Sequence, residues 1–136
     1  MIVGINGAKG AGKNVAGEYL TRAYGFVCIS YAAKLKESAA ALFDIPVVWW
    51  DDLKNDQTAC VELYAGETQL ARLSAREFLQ RYGTEAHRDV FGQGFWRDAL
   101  FAELDESGAT DYVITDARFD DELQNVLLRG GKTIRI

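Results

Sequence analysis

The sequence is poor in the residues that build staples, metal centres and rigid spacers: 136 residues include two cysteines, one histidine, one methionine and one proline. Cys28 and Cys60 stand far apart without C-x-x-C spacing, so neither a zinc site nor a disulfide scaffold is expected. Both are predicted to be reduced core residues in strand-like segments. No secretory h-region and no apolar run of membrane-spanning length are seen, which makes a cytoplasmic location the expectation. With 49% hydrophobic and 26% charged residues and no long polar tract, the chain is neither disordered nor fibrous. Fifteen basic against twenty acidic residues give a net charge of −5, which excludes a broad electrostatic footprint for duplex nucleic acid. Any anion must be bound locally.

Glycine, in contrast, is concentrated. Residues 4 to 15 read GINGAKGAGKNV, with four glycines, three of which follow a short apolar run that suits a buried strand, Met1 to Asn6. Val15, Tyr19, Leu20 and Ala23 share a helical face that Gly25 closes, predicting a helix from Gly12 to about Tyr24. A β-rich run over 26–30 and a helix over 32–43, halted before Pro46, follow. Residues 47–73 are less legible, with Trp49-Trp50 expected in a loop and a hairpin turning at Ala65-Gly66-Glu67. Ser74 and Glu77 have capping-box spacing, so a helix is expected to start there and turn Phe78, Leu79 and Tyr82 inward, with Gly83 kinking or ending it. A helix over 95–104, a strand over 112–116, a helix over 120–129 and a last strand over 133–136 complete the pattern. Strands alternating with helices predict an α/β fold with a parallel sheet, and the absence of repeats or linkers predicts a single domain over 1–136.

Gly7 to Lys13 fits G-x-x-x-x-G-K between a predicted strand and a predicted helix, the context a phosphate-binding loop requires. Its glycines allow positive φ and let successive amides surround an anion, the following helix presents its partially positive end, and Lys13 adds a full charge. Asn14 and Val15 stand where a magnesium-binding hydroxyl is usual, and an asparagine amide is a weaker substitute. At the other end, an apolar strand delivers Asp116 at its carboxyl end, where open α/β sheets place ligand chemistry. Asp116 is the candidate magnesium ligand and Arg118 a candidate for a substrate phosphate. Asp120, Asp121 and Glu122 read as a solvated first helical turn. Tyr31 and Trp96 are open to two readings, base stacking or core, and His87 reads as a packing or surface residue.

The sequence R-x-x-L-Q-x-x-G-T-E-x-x-R over 76–88, followed by Trp96, joins the early GAKGAGK, the YAAKLKE segment over 31–37 and the late TDARFDDE and GGKTIRI. Together they resemble the bacteriophage-type deoxynucleoside monophosphate kinases over nearly the whole chain. The resemblance implies a P-loop three-layer αβα sandwich that moves the γ-phosphoryl group of ATP, with Mg²⁺, onto a deoxynucleoside monophosphate. It implies that Gly7, Gly10, Ala11, Gly12, Lys13 and Asn14 hold the donor, that Arg88 and Arg118 hold the acceptor phosphate, and that Arg76 and Gln80 line the acceptor site. Lys13, Arg88 and Arg118 are the implied catalytic residues. Two departures from the family pattern are Asn14-Val15 and the ending, where the lid and last strand are expected to be missing; the resulting sheet edge favours a homodimer or neighbouring chain. The alternative expectation is a nucleotide-binding module that has lost catalysis and serves as a regulatory or assembly partner.

Overall fold

Strict alternation along its first strand explains how this chain builds a sheet covered on both faces. In a computed structural model that describes residues 1–108 and 110–136, Ile2–Asn6 forms β1. Val3 and Ile5 of β1 pack with Phe26 and Val113 against Ala16 and Leu20 of α1 (Lys13–Tyr24). Ile2 and Gly4 face the other way, Ile2 against a cluster of Leu100, Phe101, Tyr112, Ile114 and Val126, and Gly4 so close to Val126 that an added β-carbon would lie 3.2 Å from its methyl group. Side chains of successive strand residues point to opposite faces, so one apolar run supplies two cores.

Two compact units make up the chain: Met1–Lys34 with Trp96–Ile136, and Leu35–Phe95. The first contains β1, α1, β2 (Val27–Ile29), α6 (Phe95–Ser107, from Trp96 onward), β5 (Tyr112–Ile114), α7 (Asp120–Leu128) and β6 (Lys132–Arg135). Among the described residues its sheet has four strands in the order β2-β5-β1-β6, every pairing parallel. This is an α/β architecture, a parallel sheet flanked by helices, consistent with a P-loop-like fold. β1 leads through α1 past β5 to β2, while β5 leads through α7 past β1 to β6, so the helices that follow these two neighbouring strands lie on opposite faces of the sheet.

Helix α2 (Tyr31–Phe43) begins in the first unit and ends in the second. The second unit adds α3 (Trp49–Leu53), an antiparallel hairpin of β3 (Cys60–Ala65) and β4 (Thr68–Ser74), α4 (Ala75–Gly83), a π-helical turn at Thr84–Arg88 and the short α5 (Asp89–Phe91). The hairpin turns at Gly66-Glu67, where Gly66 has φ +60°. A positive φ at the first of two central residues is the conformation that twists in step with the strands and favours glycine. Ser74 Oγ accepts the Glu77 amide at 3.1 Å, the expected cap, and Phe78 and Leu79 are buried beneath it.

Two expectations need correction. Trp49 and Trp50 begin a helix, not a loop, and Trp50 is 1% exposed, stacked on Phe78 at 5.7 Å; five helical residues are too few for a 3.6-residue period to show in sequence. Both cysteines are free and exposed, not core. Cys28 lies on an edge strand, and Cys60 falls on the open face of a two-stranded ribbon whose Val61 and Leu63 take the covered one. No helix among the described residues is long and apolar enough to cross a membrane.

Candidate functional site

The glycine-rich bend between β1 and α1 takes its shape from two backbone angles that side chains disfavour: φ is +83° at Gly10 and +90° at Gly12. Gly12 caps α1, its carbonyl accepting the Ala16 amide at 3.0 Å, and among the described residues no side chain bonds that helix end. The first-turn amides of α1 are thus left for solvent or an anion. Lys13 Nζ reaches back across the bend to the carbonyls of Gly7 and Ala8, each at 2.7 Å. The lysine charge is held over the bend by weak, exchangeable acceptors. Gly7 has a steric duty of its own, since a β-carbon there would meet the Ile136 carbonyl oxygen at 2.6 Å. Ala11 donates to the Ala8 carbonyl at 3.2 Å, closing the turn, while Asn14 and Val15 are exposed on the first turn of α1.

Asn6 Nδ2 donates to the Ala117 carbonyl at 3.2 Å and ties this bend to the segment after β5. There the carboxylate of Asp116 accepts the Tyr31 amide on Oδ1 and the Ala32 amide on Oδ2, both at 2.9 Å, so it caps α2. Burial raises the Asp116 pKa above its ordinary 3.8, against the lowering pull of the two amides and the Arg118 charge. Arg118 itself is exposed. Next to it, Glu122 is 3% exposed and accepts the amides of Arg118 at 2.8 Å and Phe119 at 3.1 Å, so this member of the expected solvated turn is a buried cap. Asp121 bonds Arg97 Nη1 at 2.9 Å, and Arg97 Nε bonds Asp98 at 2.8 Å. Sequence reading missed Arg97, because nothing local marks a helix arginine whose partner lies 24 positions away.

The first unit therefore brings together Gly7, Gly10, Ala11, Gly12, Lys13, Asn14, Asp116 and Arg118 at the carboxyl ends of β1 and β5, neighbouring strands whose following helices lie on opposite faces and so leave a crevice at these ends. Arg76, Gln80 and Arg88 belong to the second unit. Arg76 and Gln80 are exposed one turn apart on α4, Arg76 bonding Asn55 at 3.3 Å, and half-buried Arg88 ends the π-helical turn. Tyr31 and Trp96 are 3% and 6% exposed, which makes them core and removes both as base-stacking surfaces. His87 packs edge-on against Tyr82 with ring centres 4.4 Å apart and bonds the Tyr82 carbonyl through Nδ1.

No family model matches the chain. A protein of Acanthamoeba polyphaga mimivirus, provisionally named a deoxynucleotide monophosphate kinase, is 26% identical over 145 aligned positions that cover all of this chain and 73% of that protein. The similarity is distant and supports a relationship to a nucleotide kinase.

Proposed function

We propose that the chain is a phosphotransferase that moves the γ-phosphoryl group of ATP to a deoxynucleoside monophosphate, yielding the diphosphate and ADP. The observation that carries this reading is the glycine bend: an uncapped helix end, two positive-φ glycines and Lys13 turned over them, set in the crevice between β1 and β5. The arrangement suits a polyphosphate, whose oxygens can take the first-turn amides while Lys13 exchanges two neutral carbonyls for charged oxygens. Arg118 stands beside Asp116 and can take the acceptor phosphate through its planar fork of donors.

Magnesium fits here in an outer role. Among the described residues no group of three metal-binding side chains occurs, and each Asp116 oxygen already accepts an amide. One lone pair on each oxygen is left for a metal-bound water, and a nucleotide magnesium takes most of its ligands from phosphate and water. When bound, the ion neutralises charge on the transferring phosphoryl group. The residues of the first unit are assigned to two anions for in-line attack: Lys13 and the bend to the donor, and Arg118 to the acceptor phosphate. An acceptor phosphate oxygen bonds the γ-phosphorus as the bond to the ADP oxygen breaks.

The test is to incubate the purified chain with each deoxynucleoside monophosphate, ATP and Mg²⁺ and to measure diphosphate. Turnover is expected for at least one acceptor, with Lys13→Ala slower by about 10²–10³-fold, the usual cost of removing one transition-state donor. Turnover no higher than that of Lys13→Ala with every acceptor overturns the reading.

A further inference from the structure

Two ion pairs of the same make clamp α6 to α7 within the first unit. Arg97 Nη1 bonds Asp121 at 2.9 Å and Arg129 Nη1 bonds Asp105 at 2.8 Å, each across 24 positions of sequence. Equal spacing at both ends means that the helices run side by side in one direction, and Leu100, Phe101 and Leu104 of α6 share a core cluster with Leu123 and Val126 of α7. The two ends differ in what they hold. Arg129 leads into the amino end of β6, away from the glycine bend. Asp121 lies in the first turn of α7, three residues after Arg118 and next to Glu122. The buried Glu122 carboxylate accepts the amides of Arg118 at 2.8 Å and Phe119 at 3.1 Å.

We propose that Arg97 is a positioning residue for the acceptor phosphate; this rests on the kinase reading and adds to it a residue that touches no substrate. Among the described residues no hydrogen bond or ion pair holds the exposed guanidinium of Arg118, so its place is set by its backbone. That backbone hangs from Glu122, and the turn carrying Glu122 is tied to α6 through Asp121 and Arg97. Asp98 holds Arg97 Nε at 2.8 Å within α6, which orients the planar fork before it meets Asp121. The Arg97 side chain is mostly buried, where a charge-assisted bond is less screened by salt. Two carboxylates more than offset its charge, so Arg97 is not itself an anion site.

The test is calorimetric titration of the full chain with each deoxynucleoside monophosphate and with a non-hydrolysable ATP analogue. Arg97→Gln and Asp121→Asn both break the pair, and each is expected to weaken monophosphate binding about tenfold while leaving the ATP analogue unchanged. Asp105→Asn breaks the matching pair at the far end and should alter neither affinity. In an Arg118→Ala background the loss on Arg97→Gln should vanish, because the two residues act as one unit. Either pair-breaking variant carries the test if the other fails to fold. Monophosphate affinity within about twofold of the parent in either folded variant overturns the positioning role. Equal loss for the ATP analogue, equal loss from Asp105→Asn, or additive loss with Arg118→Ala also overturns it. Asp121→Asn keeps the Arg97 charge and removes a carboxylate beside it, so tighter monophosphate binding there assigns Arg97 to the phosphate itself and likewise overturns the role. Coupled loss of binding in a chain that transfers no phosphoryl group upholds the role and defeats the kinase reading, whereas a parent that binds the ATP analogue but no monophosphate defeats both.

Discussion

Gly17 in α1 and Thr115, just beyond β5, are in such close apposition that a β-carbon on the glycine would lie 2.4 Å from the threonine Cγ2 methyl and 3.4 Å from Cys28 Sγ. This contact seats α1, and with it the glycine bend, against the sheet. Gly17→Ala is expected to destabilise the fold by about 1–3 kcal/mol through overpacking. Thr115→Ser removes the opposing methyl, so the double variant should recover much of that loss. Urea unfolding of the four proteins measures the cycle, and additive effects would contradict the contact.

Asp116 gives a prediction about pH. Its carboxyl is raised above the ordinary 3.8, chiefly by burial. For an acid whose folded pKa exceeds its unfolded one, the native state binds the proton more tightly. Its contribution to stability is therefore greatest below the unfolded pKa and falls as pH rises toward the folded value. Carbon-detected NMR titration should place Asp116 above 3.8, and Asp116→Asn should remove that part of the stability curve. A midpoint at or below the ordinary value would refute the burial argument.

Ser74 caps α4 by accepting the Glu77 amide at 3.1 Å. Ser74→Ala should cost about 1 kcal/mol and Ser74→Gly a few tenths. Both are read from denaturation midpoints at unchanged slope, and equal costs would deny the capping role.

Asn14 stands exposed where a hydroxyl would serve magnesium. On the kinase reading, Asn14→Thr should lower the Mg²⁺ concentration needed for half-maximal turnover severalfold, because a hydroxyl is a better magnesium ligand than an amide. An unchanged requirement would place the ion away from the first turn of α1.

Glu122 tests the buried cap of α7. Replacing it with alanine leaves the amides of Arg118 and Phe119 without their acceptor, at an expected cost of about 1–3 kcal/mol. Glu122→Gln keeps an oxygen and should lose less, and thermal melts rank the two.

How legible all this was in the sequence depended on how far apart the partners lie along the chain. Glycine spacing, the Ser74–Glu77 pair and the alternation of β1 are written within a few residues, and the bend, the α4 cap and the two-faced sheet appear where expected. The five-residue helix at Trp49 was too short to leave a period, and exposure of the cysteines depended on which strands became edges. Burial of Glu122 and the pairing of Arg97 with Asp121 depend on how α6 and α7 meet, which no local pattern encodes. Asp116 was legible as an acid at a strand end, but its grip on two amides 84 and 85 positions away was not.

Strand order has a consequence for synthesis. β5 lies between β1 and β2, yet it comes at Tyr112–Ile114, while the strands it joins end at Asn6 and Ile29. A nascent polypeptide emerging from the ribosome therefore carries two apolar strands whose shared partner is missing until more than a hundred residues have been made. The hairpin, whose strands are joined by Gly66-Glu67, can pair long before that. Release of the growing chain before Tyr112 should leave the amino-terminal strand exposed and prone to aggregate, with the glycine bend behind it unshaped.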